Sequence, residues 1–147
     1  MLKVLIADDE KTELDVLENY LLTHHEKNLE LVAICNDGAS ALKEGLEKKP
    51  DIAFLDIQMP NVDGLEVARG LKENNPDIKI VIITAFGRFD YAKSAIGIGV
   101  SSYLVKPFQN EELDKVIFKL VGEKGIVPQI PQASSSFASP VGKKAYD

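Results

Sequence analysis

The stretch Leu2-Lys3-Val4-Leu5-Ile6-Ala7-Asp8-Asp9 is an apolar run closed by two acids, and Ile52-Ala53-Phe54-Leu55-Asp56 repeats the pattern with one. Runs of this length read as strands buried on both faces of a parallel sheet. Polar residues at their carboxyl ends then gather at one edge of the sheet, where the ligand crevices of open α/β folds form. Two further runs follow the same rule. Ile78-Lys79-Ile80-Val81-Ile82-Ile83 ends in Thr84, and Tyr103-Leu104-Val105 is followed by Lys106. Four strand ends therefore carry acid, acid, hydroxyl and ammonium.

A fifth apolar run, from Leu29 to Cys35, lies between the first two, and segments of helical period separate all five. This alternation is the pattern of repeated βαβ units, a parallel sheet covered on both faces. Right-handed crossovers restrict such a chain to few topologies, and the order 2-1-3-4-5 sets strands one and three side by side at the switch point. The predicted architecture is α/β: a doubly wound five-stranded parallel sheet, flavodoxin-like, in a single domain. Leu14, Leu17 and Leu21 give the first helix a buried stripe; Leu113, Val116, Ile117, Leu120 and Val121 give the last one the same. Asp37 reads as the N-cap of a helix through Ala41, Leu42 and Leu46 that stops before Pro50. Leu65, Ala68 and Leu71 carry the third helix, ended by Asn74-Asn75-Pro76. The fourth, Phe89 to Ile98, is the weakest, since Gly97 and Gly99 each cost about 1 kcal/mol relative to Ala inside a helix.

The 147 residues suffice for one core. Residues 1–122 are expected to form that domain, and the aperiodic segment 123–147, rich in Pro, Ser and Ala, a tail or linker in which Ile130, Phe137 or Tyr146 can dock on a surface. Hydrophobic residues at 45% with 27% charged residues argue against a disordered chain. A net charge of -6 argues against nucleic-acid binding by this chain itself, because phosphate contacts need clustered Lys and Arg. The sequence has no apolar stretch long enough to span a bilayer and no signal-peptide pattern, so a cytoplasmic location is expected. Cys35, the single cysteine, reads as a small core residue.

Two unit charges about 4 Å apart repel by about 4 kcal/mol at an effective dielectric near 20, so clustered carboxylates call for a counter-charge. A hard divalent cation supplies it. Mg2+ takes oxygen ligands and keeps several waters, which suits a shallow site built from Asp8, Asp9, Asp56 and the backbone carbonyl of Gln58. An ionised carboxylate can attack phosphorus without a general base, and Asp56, alone at its strand end, is the candidate nucleophile. Lys106 and Thr84 would pair with the oxygens of the transferred group. His24 and His25, toward the far end of the first helix, read as solvated surface residues. Asp8 or Asp9, taken singly, also reads as an ordinary helix N-cap.

With Asp8-Asp9-Glu10, Asp56-Ile57-Gln58-Met59-Pro60, Asp63-Gly64, Thr84-Ala85 and Lys106-Pro107-Phe108 in place, the chain from Leu2 to Val121 resembles the receiver domain of bacterial two-component response regulators. The resemblance implies that Asp56 accepts a phosphoryl group from a phosphohistidine of a sensor histidine kinase or histidine phosphotransfer protein. It implies Mg2+ held by Asp9, Asp56 and Gln58, with Asp8 helping through water, and a cis Lys106-Pro107 peptide. Thr84 and Tyr103 act as switch residues in such domains, and the fourth helix, fifth strand and fifth helix change surface toward a downstream output protein or a second copy. Such a chain is a phosphoacceptor and not a turnover enzyme. Gln58 and Phe86 occupy positions that tune access of hydrolytic water in the family, so a bulky Phe86 is expected to slow dephosphorylation. Phe86-Gly87-Arg88-Phe89-Asp90-Tyr91-Ala92 is similar to receivers that precede AraC-type DNA-binding domains. Two other classes compete: a phosphohydrolase with an aspartate nucleophile, disfavoured by the lack of a cap domain, and a flavin-binding module, disfavoured because acidic strand ends repel a cofactor phosphate.

Overall fold

A computed structural model describes residues 1–126. Five strands and five helices alternate: β1 (Leu2–Ala7), α1 (Lys11–His24), β2 (Leu29–Cys35), α2 (Gly38–Lys48), β3 (Ile52–Leu55), α3 (Gly64–Asn74), β4 (Lys79–Thr84), α4 (Phe89–Ile98), β5 (Ser102–Val105) and α5 (Asn110–Glu123). The strands form one sheet in the order β2-β1-β3-β4-β5, and every pairing is parallel. This is the predicted doubly wound, flavodoxin-like topology.

Strand side chains alternate between two apolar layers. Leu5, Ala7, Ala53, Leu55, Ile80 and Ile82 face one side, packed with Ala41 of α2, Leu65, Ala68 and Leu71 of α3 and Ala95 of α4. Val4, Ile6, Ile52, Phe54, Val81 and Ile83 face the other, with Leu14 and Leu21 of α1 and Leu113, Ile117 and Leu120 of α5. Both faces of the central strands are covered, which is why their sequences are continuous apolar runs and not alternating ones. Cys35 is buried in the first layer, where burial pushes its thiol up to about 11.

Local chemistry sets the helix ends. Asp37 caps α2 by accepting the Ser40 N–H at 2.7 Å. Asp63 and Glu66 form a reciprocal capping box at the start of α3. Gly99 is the C-cap of α4, with φ 88°, so it ends that helix in a conformation glycine favours, and the interior penalty expected of it falls on Gly97 alone.

The reading of His25 as a solvated residue is corrected. Its side chain is fully buried between α1 and α5, with Nε2 2.7 Å from Asp114 Oδ1. The Tyr20 hydroxyl donates to the same oxygen at 2.8 Å, and the Phe118 ring lies against the imidazole. His24, by contrast, is exposed and stacks on Tyr20. Among the described residues no helix is long and apolar enough to cross a membrane. Ile126 packs partly buried against the second layer; the expected docking residues Ile130, Phe137 and Tyr146 lie outside the described residues.

Candidate functional site

Backbone pairing continues one residue past several strand ends and fixes where the polar side chains emerge. The Asp8 N–H donates to the Cys35 carbonyl of β2 at 3.1 Å, the Asp56 N–H to the Ala7 carbonyl of β1 at 3.0 Å, and the Lys106 N–H to the Thr84 carbonyl of β4 at 2.8 Å. The strand order then does what the sequence predicts: β1 and β3 are adjacent, and carboxylate oxygens of Asp8, Asp9 and Asp56 come within 4.8 Å of one another. Asp8 and Asp56 are buried and Asp9 is exposed. The alternative that Asp8 or Asp9 caps α1 does not hold. The N-cap is Glu10, and Asp8 Oδ1 instead accepts the Glu10 N–H at 2.9 Å.

Lys106 reaches into this cluster. Its Nζ donates to Asp8 Oδ2 at 3.0 Å and approaches Asp56 Oδ2 at 3.5 Å. Burial pulls the ammonium down, but the carboxylates of Glu13, Asp8 and Asp56 outweigh it and hold the lysine above its ordinary value. Burial pushes the Asp56 carboxyl up to about 6; Lys106 opposes this and Asp8 adds to it. The Lys106–Pro107 peptide is cis, as the resemblance implies.

Gln58 follows Asp56 by two residues and its N–H lies 3.3 Å from Asp56 Oδ1. The loop between β3 and α3 is closely packed: the Gly64 N–H donates to the Ile57 carbonyl at 2.9 Å, and a Cβ at Gly64 would overlap the Asp56 carbonyl. That contact is the physical reason for glycine after Asp63. Thr84 is fully buried at the end of β4, and its Oγ1 accepts the Phe86 N–H at 3.2 Å. Tyr103 is half-buried, with its hydroxyl donating to the Phe86 carbonyl at 3.0 Å.

Two participants were not visible in the sequence. Glu13, in the first turn of α1, pairs with Lys106 at 2.9 Å. Tyr91 of α4 accepts a hydrogen bond from the Gln58 side-chain amide at 2.7 Å. An acid in the first turn of the helix that directly follows an acidic strand end was the available signal for Glu13; Tyr91 offered none.

The donor set is chemically one-sided. Three carboxylates with no His or Cys among them suit a hard cation such as Mg2+, which prefers oxygen and retains water. A cation held there, with an ammonium 3.5 Å from Asp56, would favour an anionic, oxygen-rich group beside the buried carboxylate. An open parallel sheet carrying this constellation at its carboxyl edge is the architecture of a signal receiver. A family model for the response regulator receiver domain matches residues 4–118, and the chain belongs to that family.

Over 123 residues the chain is 30% identical to the Bacillus subtilis (strain 168) protein named uncharacterized transcriptional regulatory protein YesN. That match takes in 84% of this chain and 33% of the relative, so the chain spans about a third of that protein's length. The REC domain of AraT, a response regulator from Geobacillus stearothermophilus, is similar at a TM-score of 0.73 and 34% identity, over 84% of this chain and 95% of that one. A chain of the CheX–CheY–BeF3–Mg2+ complex from Borrelia burgdorferi gives a TM-score of 0.72 over 81% of this chain and 88% of its own. At 23% identity that likeness concerns the fold alone.

Proposed function

We propose that the chain is the phosphoacceptor module of a two-component system, with Asp56 as the acceptor. The observation that carries this reading is the placement of Asp56: buried, ionisable, within 4.8 Å of two further carboxylates and 3.5 Å from an ammonium. An Asp56 carboxylate oxygen forms a bond to phosphorus as the bond from phosphorus to the donor's imidazole nitrogen breaks. The electron pair stays with that nitrogen, which takes a proton. Lys106 and the Thr84 hydroxyl pair with oxygens of the group in flight, an arrangement that works by alignment and charge compensation. Asp8, Asp9, Asp56 and the Gln58 carbonyl are the residues that would hold Mg2+. When bound, the ion offsets charge on the phosphoryl oxygens.

New charge-assisted hydrogen bonds from phospho-Asp56 to Thr84 and Lys106 bias a two-state element. Thr84 and Tyr103 are its switch residues, both tied to Phe86 in the unphosphorylated chain, and the α4, β5 and α5 surface is its readout. The donor is a sensor histidine kinase or a histidine phosphotransfer protein in the cytoplasm. The chain's share of its YesN relative supports a place within a longer regulator, whose output domain would carry any DNA contact.

Intact mass spectrometry after incubation with Mg2+ and acetyl phosphate tests the assignment. One phosphoryl adduct is expected on the parent chain and none on Asp56→Asn or on the parent without Mg2+. An adduct on Asp56→Asn would refute the site, and many turnovers of phosphate release per chain would point to a hydrolase instead.

A further inference from the structure

The Lys106 ammonium has three protons and three carboxylate neighbours, and they do not share it evenly. Glu13 Oε1 stands at 2.9 Å, Asp8 Oδ2 at 3.0 Å and Asp56 Oδ2 at 3.5 Å. The longest contact is thus to the residue that, on the reading above, receives the phosphoryl group. The three acids also differ in freedom. The Asp8 and Asp56 side chains are 9% and 8% exposed and locked at strand ends, whereas that of Glu13 is 50% exposed on the first turn of α1. Glu13 can therefore release the ammonium by a side-chain rotation into water, a move closed to the other two.

We infer that Glu13 is a positioning residue that holds Lys106 in the unphosphorylated chain and competes with a phosphoryl group on Asp56 for its ammonium. This inference rests on Asp56 being the acceptor. A phosphoryl group brings about two negative charges and three strong acceptor oxygens, and recruiting Lys106 to them means withdrawing it from Glu13. The Glu13 pair stabilises only the unmodified state. It therefore raises the threshold for loading the site, and removing it should make loading easier. A purely structural contribution from Glu13 predicts the opposite, since loosening the site would weaken it.

The test uses beryllofluoride with Mg2+, a non-covalent stand-in for a phosphoryl group on a carboxylate, titrated into the full chain and followed by 19F NMR. Glu13→Gln should bind about two- to fivefold more tightly than the parent, the range of a partly exposed ion pair. Glu10→Gln removes the same charge from the N-cap of the same helix without removing an ion pair to Lys106 and should gain distinctly less. Equal or weaker binding by Glu13→Gln, or an equal gain in Glu10→Gln, overturns the inference while leaving Asp56 as the acceptor. Failure of the parent chain to bind beryllofluoride with Mg2+ overturns the acceptor reading, and this inference with it.

Discussion

Two polar clusters in this molecule are built with opposite stoichiometry. At the strand ends, Asp8, Asp56 and Glu13 share the single ammonium of Lys106, with Asp9 close by, so acceptors outnumber donors and negative charge is in excess. At the α1–α5 junction, Tyr20 and His25 share one carboxylate oxygen of Asp114. Burial and the Asp114 hydrogen bond hold the Tyr20 phenol above its ordinary value, so it remains a donor. The first arrangement leaves its carboxylates short of counter-charge, whereas in the second each donor meets the Asp114 carboxylate and only the buried His25 Nδ1 lacks a hydrogen-bond partner. Aspartate is common to both, and the balance of acceptors against donors separates a charge-rich cluster suited to a cation from a clasp between two helices.

The largest expected effect sharpens this contrast through pH. Asp56 is raised from 3.8 to about 6, chiefly by burial, so the folded chain keeps its proton to higher pH than the unfolded chain does. Its contribution is then most favourable below pH 4 and is lost as pH climbs to about 6, a difference of about 3 kcal/mol by linkage. Urea denaturation without Mg2+ from pH 4 to 8 should show Asp56→Asn gaining on the parent across that window and staying ahead by about that amount at pH 7. Mg2+ should narrow the gap. A gap that does not grow with pH would remove the claim that the site is under-compensated.

Next in size, Asp114→Ala leaves Tyr20 and His25 facing each other without their acceptor, and should cost about 2 kcal/mol in the same assay. Beryllofluoride affinity should stay within about twofold of the parent, since nothing in the clasp contacts the strand-end cluster. A large loss of affinity would show that the two regions are coupled. Tyr20→Phe is the mildest case, removing one of two bonds to an oxygen that keeps the other, at about 1 kcal/mol. An effect as large as that of Asp114→Ala would mean that the hydroxyl and not the imidazole holds the helices together.

The fold was legible because its information is local. Each strand is a short apolar run, each run ends in a residue with distinct chemistry, and the right-handed crossover rule supplies the order. The strand-end cluster was legible for the same reason, down to Asp8, Asp9, Asp56 and Lys106. His25 escaped, although the signal existed: it continues the Leu14, Leu17 and Leu21 stripe one turn further and so belonged on the buried face. Its polarity masked the period, and its partner Asp114 is 89 residues away, where no local pattern reaches. Glu13 and Tyr91 were hidden differently. Each sits in a helix that is ordinary in sequence, and only the assembled sheet brings one beside Lys106 and the other beside Gln58.

The capping box of α3 has a mechanical consequence. Asp63, Glu66 and the Gly64 contact with the Asp56 carbonyl brace the loop after Asp56 like an anvil. By contrast α4 follows an N-cap residue, Arg88, that makes no side-chain cap bond, and it carries Gly97 in its last turn. The two helices therefore differ in how firmly they start: side chains fasten the first turn of α3 through both halves of its box, and none caps the first turn of α4.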